Sequence, residues 1–84
     1  MKFLAEINVM PHKEILDPQG KAVTGSMKNL GLAEISNVRV GKRITLEVEA
    51  ANEEIAKQKV DEACKKLLAN VILETYEFQI TPLS

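Results

Sequence analysis

ISNVRVGKRITLEVEA, residues Ile35 to Ala50, holds two alternating apolar and polar runs with Gly41 and Lys42 between them. Side chains in a strand point alternately to opposite faces, so Ile35 to Val40 and Arg43 to Ala50 each read as a half-buried strand. A two-residue connection with glycine first suits a tight antiparallel hairpin. Ile44, Leu46 and Val48 are then expected to face the core, with Arg43, Thr45, Glu47 and Glu49 on the other face.

Upstream of this hairpin, Lys2 to Met10 alternates with Phe3, Ala5, Ile7 and Val9 on one face, a third strand. Pro11 ends it, and Pro11 to Leu16 has no period and reads as a surface loop. Asp17 followed by Pro18 fits a helix start: the carboxylate accepts a backbone N–H, and proline loses no needed donor at the first helical position. Val23, Met27 and Leu30 recur at helical spacing, and Gly31 can take the left-handed conformation that closes the helix, which places helix one over Pro18 to Leu30. Gly25 in its interior is unfavourable by roughly 1 kcal/mol relative to alanine, so this helix should lean on tertiary packing, and the glycine reads either as a tolerated imperfection or as the mark of a neighbouring backbone's close approach.

Downstream, Asn52 is positioned to cap a second helix, Glu53 and Glu54 complement its positive start, and Lys65 and Lys66 lie near its negative end. Its expected apolar stripe is Ala56, Val60, Ala63, Cys64 and Leu67. Asn70 can end it, and Leu73 to Ile80 alternates again with Tyr76, Phe78 and Ile80 on one face. The order strand, helix, strand, strand, helix, strand predicts one α+β domain over residues 1–84. Its simplest form is a two-layer sandwich of ferredoxin-like connectivity, with an antiparallel sheet and both helices on one face.

The 84 residues are 45% hydrophobic and 27% charged with a formal net charge of -1, which favours neither disorder nor a nucleic-acid-binding surface. A chain this short buries only about 60–65% of its unfolded surface, so self-association would add to its stability. One cysteine, Cys64, allows no internal disulfide, and no apolar run reaches the length of a signal or membrane segment, so the expected location is cytoplasmic, with no membrane partner.

Residues suited to catalysis are scarce. His12 follows a proline in a loop with no orienting group in view, and Cys64 lies on an apolar helix face with nothing beside it to stabilise a thiolate. Glu53 and Glu54 are adjacent and diverge on a helix, which suits the helix start better than a metal. Lys57, Lys59, Lys65 and Lys66 read as a solvated helix face. There is no Walker loop, dinucleotide fingerprint or paired CxxC. An RNA-recognition domain would stack bases on aromatics where Val38, Val40, Ile44, Leu46 and Val48 stand, and an acylphosphatase-like site would want an arginine where His12 and Lys13 stand. No catalytic, cofactor or metal residue is therefore expected on this chain.

Three stretches carry a resemblance: Leu16-Asp17-Pro18-Gln19-Gly20-Lys21-Ala22-Val23, then Val38-Arg39-Val40-Gly41-Lys42, then Lys66-Leu67-Leu68-Ala69-Asn70 with Tyr76-Glu77 following. Together they resemble the PurS family, the small subunit of phosphoribosylformylglycinamidine synthase. Two departures affect local packing: Val71 stands where the family usually has a proline, and Gly25-Ser26-Met27 replaces an Ala-Leu pair.

The resemblance implies a non-catalytic subunit that forms a homodimer, or a tetramer, and joins a large synthetase subunit to a glutaminase subunit. In such a complex ammonia released from glutamine serves the ATP-dependent conversion of formylglycinamide ribonucleotide to formylglycinamidine ribonucleotide, with ATP and magnesium on the large subunit. Asp17, Pro18 and Gly20 at the helix-one start, and Arg39, Gly41 and Lys42 at the hairpin, are the expected partner contacts. The alternative is a stand-alone regulatory α+β module binding a small ligand between subunits, which the glycine-free Pro11 to Leu16 loop disfavours.

Overall fold

The computed structural model describes residues 1–13 and 17–83, so the expected loop through Leu16 lies outside the described residues from Glu14 onward. The elements are β1 (Lys2–Pro11), α1 (Pro18–Asn29), β2 (Lys42–Glu49), α2 (Glu53–Ala63), a π-helical turn (Cys64–Leu68) and β3 (Glu74–Leu83). The strands form an antiparallel sheet in the order β2-β1-β3. The predicted α+β class, with an antiparallel sheet and two helices, is the class observed.

β1 is the central strand, and Phe3, Ala5, Ile7 and Val9 are all buried, as their alternation predicts. The register sets Ile7 between Ile44 and Phe78, and Ala5 between Leu46 and Ile80. Across that surface lies α2, which buries Ala56 and Val60, with Cys64 buried at its end. Alanine at both positions 5 and 56 lets helix and sheet approach closely where a larger residue would hold them apart. Pro82 sits in edge strand β3 opposite Phe3, where a missing donor is tolerated.

α2 starts as expected: Asn52 Oδ1 accepts the Ile55 N–H at 2.9 Å. Its end differs from the α-helical reading. The Ala69 N–H reaches back five residues to the Cys64 carbonyl at 2.9 Å. This wider turn delays the next inward position by one residue, so Leu68 packs against the core while Leu67 is 81% exposed. The stripe expected at Leu67 is therefore corrected to Leu68 and Ala69.

The run Ile35 to Val40 forms no strand and pairs with no other among the described residues. The donors that a hairpin ladder would use are taken by side chains of α1 and its cap: Thr24 Oγ1 accepts the Val38 N–H at 3.1 Å, and Asp17 Oδ2 accepts the Val40 N–H at 2.9 Å. Gly41 serves no hairpin either. A Cβ there would stand 2.1 Å from Met10 Sδ and 2.4 Å from the Val9 carbonyl, so glycine is needed for close passage over the end of β1.

α1 closes as expected, with Gly31 at φ +78°, its N–H on the Lys28 carbonyl, and the Leu32 N–H on the Met27 carbonyl at 2.8 Å. These paired bonds form a Schellman motif. Whereas α2 packs on all three strands, α1 is held mainly by the return segment 37–40. The molecule measures 52 × 28 × 14 Å, and its radius of gyration of 16.5 Å exceeds the roughly 12 Å of a compact domain of this length. Ile44, Leu46 and Val48 face α2 as predicted but are only half-buried, because one helix does not cover three strands.

Candidate partner-contact site

The helix-one start is organised by Asp17. Its Oδ1 accepts the Gly20 N–H at 3.0 Å while Oδ2 accepts the Val40 N–H, so one carboxylate caps α1 and ties down the return segment. These two donors, with the Arg39 guanidinium nearby, hold its carboxyl below the usual aspartate range. Pro18 takes the first helical position. Gly20 is buried because the return segment crosses it: a Cβ there would lie 2.1 Å from the Val38 carbonyl. Thr24 completes the seam, donating to the Gly20 carbonyl at 2.8 Å while accepting from Val38.

An open cleft of about 750 Å³ lies between α1 and this segment. Lys13, Lys21, Lys28 and Arg39 supply cations to its lining, Asn37 and Thr24 supply polar groups, and Asp17 is its one carboxylate among the described residues. Arg39 also donates to the Pro11 carbonyl, which fastens the return segment to the end of β1.

Of the six expected contact residues, the structure brings Asp17, Gly20 and Arg39 together around this seam, with Pro18 beside them. Gly41 and Lys42 lie further along: Gly41 passes over Met10, and Lys42 begins β2 opposite Val9. Sequence reasoning missed Thr24 and the cleft lysines. The available signal was Lys21, Thr24, Gly25 and Lys28, a spacing that puts all four on one face of a helix.

Of the other residues weighed for chemistry, His12, Lys65 and Lys66 have structural partners, and Cys64 is buried. His12 donates its backbone N–H to the Leu73 carbonyl at 3.0 Å, and its ring lies 3.4 Å from the Val71 carbonyl. Burial, with Asp61 nearby, pushes the Cys64 thiol up. Tyr76 donates its hydroxyl to Asp61 Oδ1, and Lys65 pairs with Asp61 Oδ2 at 3.0 Å. That hydrogen bond pushes Tyr76 up to about 12 and, with Lys65, holds Asp61 low. Lys66 pairs with Glu62 on the same helix. No group of three or more His, Cys, Asp or Glu side chains is placed to hold a metal among the described residues.

The model of the PurS family, phosphoribosylformylglycinamidine (FGAM) synthase, matches residues 4–82. The chain belongs to the PurS family. It is 44% identical over 81 residues to the PurS subunit of phosphoribosylformylglycinamidine synthase from Synechocystis sp., covering 96% of this chain and 81% of that one.

Solved PurS structures share the fold. The Methanocaldococcus jannaschii PurS, one of the subunits of formylglycinamide ribonucleotide amidotransferase in the purine biosynthetic pathway, is similar at TM-score 0.84 and 30% identity, over 98% of this chain and 99% of that one. A chain of the Thermotoga maritima PurLQS structure is similar at TM-score 0.86 and 34% identity, over 95% and 98% of the two chains. PurS is thus a subunit of FGAM synthase in purine biosynthesis, found among other subunits in PurLQS. No helix among the described residues is long and apolar enough to cross a membrane.

Proposed function

We propose that this PurS-family chain is the non-catalytic subunit of a cytoplasmic FGAM synthase complex, holding the glutaminase subunit against the large synthetase subunit. Ammonia released from glutamine then passes to the ATP-dependent conversion of formylglycinamide ribonucleotide to formylglycinamidine ribonucleotide, with ATP and magnesium on the large subunit. The observation carrying this reading is the likeness of nearly the whole chain to one that stands in PurLQS.

Self-association as a homodimer or tetramer belongs to the same reading. The half-covered side chains of β2, the outer edges of β2 and β3, and exposed Leu30, Leu67 and Ile72 offer surface that a second copy would cover. A stand-alone ligand-binding module has less support, since the cleft beside α1 is open and its cations are exposed.

The test mixes the purified large subunit and glutaminase with and without this chain. Glutamine-dependent turnover is expected only when it is added, with ammonia-dependent turnover present throughout. Unchanged activity and separate elution of the three chains would defeat the bridging role.

A further inference from the structure

The glycines of α1 and of the return segment, Gly20, Gly25 and Gly41, are not alike. At Gly20 and Gly41 the chain's own atoms leave no room for a Cβ, whereas among the described residues nothing lies within 4 Å of the Cβ position at Gly25. Glycine is nonetheless unfavourable inside a helix, and no close approach among the described residues requires it there. Gly25 also lies midway between Lys21 and Lys28, on the α1 face that walls the cleft, with Lys13 and Arg39 on the same lining. Among the described residues none of these four cations is in an ion pair. Asp17 is the one carboxylate on this lining among the described residues, so a single negative charge, nearest Arg39, faces four cations.

From the bare glycine and the cation ring together, we propose that an acidic segment of a partner subunit lies across α1. Its backbone passes over Gly25, and its carboxylates meet Lys21, Lys28 and Arg39. This rests on the subunit reading above. A small anion is a poorer fit, because the four cations are exposed and the cleft is open. A second copy meeting this face with its own would set cations against cations.

The test uses the full chain and the purified synthetase and glutaminase subunits, titrating binding at two salt concentrations and measuring the sedimentation and melting temperature of the chain alone. Gly25→Ala should raise the melting temperature yet weaken binding to one subunit by about fivefold or more, opposite effects that a merely solvated face would not produce. Lys21→Glu with Lys28→Glu should weaken binding about tenfold or more and flatten its salt dependence, leaving sedimentation unchanged.

Wild-type binding with both variants unaffected would overturn the docked segment alone. Variants that change self-association instead would show a second copy on this face and overturn it likewise. A wild-type chain that binds neither subunit would overturn the subunit reading and this proposal with it.

Discussion

Asp17 and Val40 stand 23 positions apart, and the Val40 N–H donates to Asp17 Oδ2 at 2.9 Å while Oδ1 caps the helix at Gly20. One carboxylate therefore both starts α1 and stops the return segment from joining a ladder. Its depressed pKa means that the unfolded chain takes up a proton first as acid is added, so this contribution is present above the ordinary aspartate range and is lost as pH falls through it. Asp17→Asn should lower stability at neutral pH and shrink the loss on acidification, measured by urea unfolding across the acid range. A variant with the wild-type acid profile would show that Asp17 does not tie the segment.

Tyr76 is the one tyrosine, so its ultraviolet titration reports a single hydroxyl. Its bond to Asp61 raises its pKa to about 12. The folded chain keeps this proton after the unfolded chain has released it, so the contribution is full below the ordinary tyrosine range and is lost as pH rises towards about 12. Asp61→Asn should move the titration midpoint back down, and Tyr76→Phe should remove this part of the alkaline loss of stability.

Two glycine substitutions should destabilise the isolated chain. Alanine at Gly20 collides with the Val38 carbonyl, and at Gly41 with Met10 and the Val9 carbonyl. Each should cost about 1–3 kcal/mol in chemical denaturation, the range for forcing extra atoms into a filled space. A loss below about 0.5 kcal/mol at both sites would mean that the return segment moves away freely.

The π-helical turn separates two neighbouring leucines. Leu67→Ser on the exposed side should change the stability of the isolated chain by within about 0.5 kcal/mol, whereas Leu68→Ser, against the core, should cost about 1–3 kcal/mol. Equal losses, or a larger one at Leu67, would restore the plain α-helical phase.

Local signals made much of this molecule legible. Alternation in β1 and β3 marked which side chains turn inward, and Asp17, Asn52 and Gly31 marked helix ends, because capping involves groups only a few residues apart. The contact residues were legible only in part. Asp17 and Gly20 announced a helix start, but nothing near Thr24 in sequence shows that its hydroxyl meets Val38 fourteen residues on.

Sequence by itself therefore determined the α+β class, the two helices, the inward faces of the strands and family membership. Tertiary structure alone decided that Ile35 to Val40 forgoes a ladder, that Gly41 serves a crossing, and that α1 stands off the sheet beside a cationic cleft. Alternation reports which way side chains point, whereas pairing depends on which distant donors and acceptors reach a backbone first, and here side chains of α1 and its cap hold Val38 and Val40.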